Sequence, residues 1–282
     1  GDNGNTAQGG GLTPTVGFYW VKKLSEKVSF GATINIPLGS GFDYGKDWEG
    51  RYYVESALLM VTNIAPSFSY NVSESFSVGA TMNMYLGLLE EELALKPLNP
   101  FNATDGQATL SGMNFNMGFQ LGLHYHPNEN TALGLMYRYK SAINFEGDAD
   151  IEGYVGQDEG EITTLPFSTE MLIPHGLNLG WTQRFNNTQF LMDLGYTNWA
   201  AFEGQPIVFN ESFEGDLHRN WQDTYRIGLG INQNIKTDLI GRVGFSYDSD
   251  PIRPDEMSPD MPVGEAYRVA LGLTKKTKKD NS

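Results

Sequence analysis

Stretches of about ten residues that alternate apolar with small or polar side chains recur along this chain, and the gaps between them are short and long in turn. Successive side chains of a strand point to opposite faces, so each such stretch has one greasy face and one polar face. In one of them Tyr225, Ile227, Leu229 and Ile231 oppose Arg226, Gly228, Gly230 and Asn232. In a second, Phe115, Met117, Phe119, Leu121, Leu123 and Tyr125 oppose Asn114, Asn116, Gly118, Gln120, Gly122 and His124. In a third, Phe76, Val78, Ala80, Met82 and Met84 oppose Ser77, Gly79, Thr81 and Asn83. A helix would scatter these residues around its circumference. The pattern predicts an all-β fold: a transmembrane, antiparallel, up-and-down β-barrel of a bacterial outer membrane, with residues 1–282 as one barrel domain.

Average hydropathy is no obstacle. The mean of -0.36 and the lack of any run of eighteen apolar residues exclude a membrane-spanning helix. A spanning strand needs only about 9 to 11 residues with every second one apolar. With no cysteine, disulfides and thiolate chemistry are excluded. The net charge of -15 argues against nucleic acid, whose phosphates require a basic footprint. Outer-membrane lipid and lipopolysaccharide are the expected surroundings. Runs such as Glu90 to Glu92 and Asp158 to Glu161 read as solvated loop carboxylates, with divalent-cation binding as the lesser alternative.

Tight connections are expected at Ser25 to Lys27, Ser73 to Ser75, Asn128 to Asn130, Asn186 and Asn187, and around Lys236. Longer ones, near 41–50, 96–107, 150–167, 203–220 and 250–263, carry Pro, Gly and acids and read as extracellular loops. About eleven strands result, starting near 14, 28, 51, 76, 108, 131, 168, 188, 221, 238 and 264. Single-chain bacterial barrels have an even number, so strands are expected beyond both ends. The polar start, Gly1 to Thr13, occupies a loop position, and the lysine-rich end, Lys275 to Ser282, has the composition of a turn.

Three sets of residues carry a resemblance. Phe42 to Tyr52, with Trp48, Gly50, Arg51 and Tyr52, is followed by Ile64 Ala65 Pro66 Ser67 Phe68 Ser69 Tyr70. Then come Tyr196 Thr197 Asn198 Trp199 Ala200 Ala201 Phe202, and last Asn220 to Gly230 with Gly241 to Phe245 and Tyr247 to Pro251. In this order they resemble the FadL/TodX-type outer-membrane transporters of long-chain fatty acids and aromatic hydrocarbons. The resemblance implies a fourteen-stranded barrel with an N-terminal hatch that imports hydrophobic molecules as a monomer. This chain would be its central part, with hatch and first strand before it and the closing strands after it.

Candidate functional residues fall into three groups. Leu86, Leu88, Leu89, Leu93, Leu95, Leu98 and Phe101 are too apolar for an ordinary solvated loop and suggest an external ligand-binding site. A strand carried above the membrane, or a short helix, is the alternative. Trp48, Gly50, Arg51 and Tyr52 stand at the expected start of the third strand, where the resemblance implies a kink that opens the wall sideways; an aromatic girdle and a turn is the alternative. Arg138, Arg184, Arg226, Arg242 and Arg268 are placed on the polar, inward face. One could hold a carboxylate headgroup, while most are expected to pair with Asp193, Asp223 and Asp248. No cofactor is implied. His124 and His126 share a strand face but lack a third metal ligand, and no motif nominates a catalytic triad, so an enzyme is not expected. A general diffusion porin for small polar solutes and a structural or receptor barrel are the competing functions.

Overall fold

The computed structural model describes residues 9–10, 17–97, 105–153, 161–210 and 213–275. Among these, one antiparallel sheet holds fifteen strands. They are β1 (Phe18–Lys23), β2 (Val28–Asp43), β3 (Ser56–Asn71), β4 (Phe76–Leu95), β5 (Gly106–Asn128), β6 (Thr131–Arg138), β7 (Ser141–Glu152) and β8 (Ile162–Ile173). There follow β9 (Gly176–Phe185), β10 (Thr188–Thr197), β11 (Gly204–Phe209), β12 (Phe213–His218), β13 (Thr224–Lys236), β14 (Leu239–Asp248) and β15 (Ala266–Lys275). The wall runs β1-β2-β3-β4-β5-β6-β9-β10-β13-β14-β15, the eleven strands that the turn spacing predicts. The other four, β7, β8, β11 and β12, extend it at one end.

The short turns share one device. Ser25 Oγ accepts from the backbone of Lys27 and Val28, Ser73 Oγ from that of Ser75 and Phe76, and Asn128 Oδ1 from that of Asn130. A small polar side chain thus closes each hairpin by bonding the chain two or three residues on. At the two-residue turn after β9, Asn186 takes φ 49°, a conformation asparagine tolerates better than most residues.

The outward face is apolar in a band. On β5, Phe115, Met117, Phe119, Leu121, Leu123 and Tyr125 are all between 42% and 57% exposed, the reverse of a water-soluble fold. On β4, Leu86 faces out, and Glu90 faces out two rungs beyond Leu88. A carboxylate has no place in hydrocarbon, so the band ends between Leu88 and Glu90 and the top of β4 stands clear of the membrane. Glu90 to Glu92 are therefore strand residues, a correction to their reading as a loop.

Other boundaries shift for physical reasons. The strand expected from 51 starts at Ser56, because residues 48–53 are taken up by a hydrogen-bonded turn, with Tyr53 N donating to Gly50 O at 2.8 Å. The strand expected from 168 is two, β8 and β9, parted at Pro174 and His175, since proline has no N–H for the ladder. The expected loops 150–167 and 203–220 hold the ends of β7 and β8 and the β11–β12 hairpin. The expected start near 14 lies outside the described residues, as do most of residues 158–161.

Inside the upper wall sits an apolar core of Leu59, Val61, Tyr85, Leu89, Leu110, Ile143, Phe145, Phe167, Met171 and Ile173. Strand β7 alternates to build it: Ile143, Phe145 and Ala149 are fully buried while Glu146, Asp148 and Asp150 are exposed. Gly147 lies tight against β5, where an added Cβ would run into the Ser111 carbonyl and come within 2.9 Å of Gly112 Cα. Both obstacles are backbone, so Gly147→Ala should cost about 1–3 kcal/mol and lower the unfolding temperature of the barrel in detergent. An unchanged midpoint would mean that β5 and β7 are not held this closely.

Candidate functional site

Below the apolar core the lumen holds a cavity of about 1220 Å³, bordered among others by Thr81, Gln120, Arg138, Asn178, Asp193 and Arg226. The alternation of β6, β13 and β15 delivers arginines to it, and their surroundings separate them. Arg226 Nε lies 3.6 Å from Asp193 and 3.9 Å from Asp248, and Arg268 bonds Asp248 on its other side. Arg242 donates to Thr274, and Arg184 is exposed beside the turn at Asn186. Arg138 differs. It is partly buried, donates to the Pro174 carbonyl at 3.3 Å, rests on Gly176, and has no carboxylate at ion-pair distance among the described residues. Asp223, expected to pair with an arginine, instead accepts from Tyr196 Oη at 2.7 Å, Asn198 Nδ2 at 2.9 Å and the Ala200 backbone at 3.0 Å.

That cluster explains two of the sequence motifs. Trp199 and Trp221 meet at 4.9 Å, with Phe202 edge-on to Trp221 at 5.2 Å, so the segment after β10 is clamped onto the segment before β13. The third motif is also a clamp. Trp48, Gly50, Arg51 and Tyr52 precede β3 and form no kinked strand. An added Cβ at Gly50 would lie within the Trp48 ring, whose Nε1 donates to Val54 O at 2.7 Å. Arg51 Nε and Tyr52 Oη reach Asp105 at 2.7 and 2.8 Å, and the guanidinium holds that carboxyl below its ordinary range. These four residues tie the β2–β3 connection to the start of β5.

Irregularity in the wall lies elsewhere. Pairing of β2 with β3 slips by one residue at Ile36 and Pro37, between the rungs Asn35–Asn63 and Leu38–Val61. On the other side of β3, the rungs to β4 stop at Ile64–Met84 and resume at Ser67–Thr81, across Pro66. Behind this weakened strand an amide row crosses the interior: Asn63 Nδ2 donates to Asn35 at 3.2 Å and to Asn83 at 3.1 Å, and Gln120 reaches Asn83 at 3.5 Å. Gln120 is the cross-strand partner of Arg138, so the row leads from that guanidinium to the gap in the wall.

The apolar run after Leu86 is strand up to Leu95, which corrects its reading as a loop. Leu86 faces lipid, Leu88 shares its face, Leu89 is in the core and Leu93 packs against that core. Leu95 ends the strand, and Leu98 and Phe101 lie outside the described residues. Beside Leu89, Glu91 faces inward onto a small cavity of about 40 Å³ shared with Arg219, Asp260 and Gln205. Arg219 is 3% exposed and donates to Asp260 at 2.6 Å, Gln205 at 2.7 Å and Ser258 at 3.0 Å. Burial, reinforced by Asp260 and partly offset by Arg219, pushes the Glu91 carboxyl up to about 7. Sequence reasoning missed Arg219, because its ion-pair partner is 41 residues away and no local pattern marks either residue. His124 and His126 lie 5.5 Å apart, and no group of three or more metal-ligating side chains forms among the described residues.

A strand-built wall with an apolar outward band and a polar, partly plugged lumen defines an outer-membrane transport barrel. The chain belongs to the family "Outer membrane protein transport protein (OMPP1/FadL/TodX)", whose model matches residues 2–282. It is 24% identical over 313 residues to the long-chain fatty acid transport protein of Escherichia coli O6:H1, covering 96% of this chain and 68% of that one. The corresponding Salmonella typhi protein is 22% identical, with coverages of 94% and 66%. Among solved structures, a Pseudomonas aeruginosa FadL homologue superposes with TM-score 0.85 at 19% identity, covering 94% of this chain and 66% of that one. The Pseudomonas putida toluene transporter TodX gives 0.72 at 22%, covering 94% and 74%. The chain thus spans about two thirds of the length of these relatives, and the family is one of transporters, not enzymes.

Proposed function

We propose that the protein takes up hydrophobic molecules bearing a carboxylate, of the long-chain fatty acid type, across the outer membrane. Arg138 carries this reading: a cation without a carboxylate partner among the described residues, facing a cavity of about 1220 Å³, suits an anionic head, which it would bind by two parallel hydrogen bonds. The apolar interior around Leu89 and Leu93 receives the chain from outside. The interruptions at Pro37 and Pro66, reached along the amide row, let it leave sideways into the outer leaflet. In this reading the barrel works as a monomer set among lipopolysaccharide and phospholipid. The neutral-hydrocarbon cargo in the name of TodX is the second reading, favoured by the apolar cluster around Phe145 and Leu89.

The test is binding of a fluorescent long-chain fatty acid to the full-length protein in detergent, with toluene as competitor. Saturable binding that toluene displaces poorly supports the carboxylate reading. Efficient displacement moves the assignment to neutral hydrocarbons, and no binding by a well-folded barrel returns it to a porin.

A further inference from the structure

A second discontinuity lies in the wall, away from β2 and β3. Strand β5 pairs below with β6, as far as Gln120–Arg138, and above with β7, from Met113–Glu146. Between these rungs Asn114–Phe119 have ladder partners only in β4. Six residues at about 3.3 Å each make a slot ~20 Å long, closed by ladder at both ends. Side chains do most of the sealing. Ser141 Oγ lies 3.1 Å from the Met117 carbonyl and 3.0 Å from Asn116 Oδ1, and Asn116 Nδ2 donates to the Ala142 carbonyl. A single backbone bond, Tyr139 N to Phe119 O at 3.1 Å, crosses the lower end.

The slot has an apolar outer face, a polar rim of Asn116 and Ser141, and apolar side chains beside it on the inside. Outside, Phe115, Met117 and Phe119 lie in the lipid band. Inside, Ile143 and Phe145 are fully buried and sit in hollows that glycines leave: an added Cβ would meet Phe145 at 2.7 Å from Gly87 and at 3.1 Å from Gly112. Ser141, Ile143 and Phe145 all belong to β7, so one outward bow of β7 breaks the seal and withdraws the plug together. The hinges for that movement are present. The β6–β9 pairing ends at Arg138–Gly176, and the β7–β8 pairing begins at Ser141–Ile173 in the same register; between them Tyr139, Lys140, Pro174 and His175 are off the ladder and are joined across it by Lys140 N donating to His175 Nδ1 at 3.3 Å.

We propose that the Asn114–Phe119 slot is a second lateral passage, through which an apolar ligand passes between lumen and outer leaflet when β7 bows away from β5. The proposal rests on the uptake reading above. Covalent closure tests it. This chain has no cysteine, and a Cβ built on Gly118 lies 3.5 Å from Ser141 Cβ, within the span a disulfide bridges. The full-length Gly118→Cys/Ser141→Cys protein should take up a fluorescent long-chain fatty acid at least threefold more slowly when oxidised than when reduced, with each single variant indifferent to reductant. Equal rates with the disulfide formed would overturn the passage and leave uptake standing. Wild-type uptake no greater than that of cells lacking the protein would overturn the uptake reading and the passage with it. If the reduced pair does not match wild type, the opposite variant decides. Asn116→Leu/Ser141→Ala should raise initial uptake at least twofold, and an unchanged rate would overturn the proposal.

Discussion

Replacing Arg138 by leucine should weaken binding of a long-chain fatty acid by about 2 kcal/mol, roughly thirtyfold in Kd, while leaving the affinity for toluene within a factor of about two. The asymmetry follows from what the side chain touches. Among the described residues its hydrogen bond goes to one carbonyl, that of Pro174, and no carboxylate stands at ion-pair distance, so the substitution orphans one acceptor at the edge of the lumen. Arg226→Leu is the contrasting control. That guanidinium lies between Asp193 and Asp248, and its loss takes the cation from Asp193 and leaves Asp248 with Arg268 alone, without harming a headgroup site. Isothermal titration of both variants with both ligands separates the cases. Equal losses for fatty acid and toluene in Arg138→Leu would show that the residue shapes the cavity and does not recognise the carboxylate.

Five arginines share the inward face in the sequence, and only pairing geometry singles out one. The choice depends on Asp248, which stands across from Arg226 on β13 and bonds Arg268 on β15, a relation set by strand register and invisible in the linear pattern. The wall itself was legible, because alternation and turn chemistry are local properties: Ser25, Ser73 and Asn128 close their hairpins with their own side chains. The same local rule failed where charge enters the inward face. Glu91 interrupts the apolar series between Leu89 and Leu93, and three successive carboxylates, Glu90 to Glu92, have the composition of a loop. The strand register nonetheless continues through Glu90–Ser111 and Leu93–Ala108. Trp48 to Tyr52 show the opposite case, since aromatic and glycine residues before a strand suit a packed turn as well as a kinked strand.

The largest stability effect is expected at Glu91 and Arg219. Arg219→Leu leaves Asp260 buried without its cation, a loss of about 3–5 kcal/mol for a broken buried pair. The damage should be local: proteolysis within 203–220 should accelerate by at least about a hundredfold while the barrel stays folded. Glu91 then sets how the segment that Arg219 anchors, the β11–β12 hairpin lying over β4 as a cap, responds to pH. Its carboxyl is raised from 4.5 to about 7 in the closed cap, which therefore binds the proton more tightly than the open one. Stability from this source is complete below about pH 4.5 and is lost as pH rises through 7, up to about 3 kcal/mol. Ionising Glu91 leaves one guanidinium facing two carboxylates in a cavity of about 40 Å³. Glu91→Gln should remove most of the pH dependence of proteolysis between pH 5 and 8 and make the cap more resistant than wild type at pH 8. A wild-type cap whose cleavage rate is flat across that range would mean that Glu91 stays ionised, with Arg219 compensating both carboxylates.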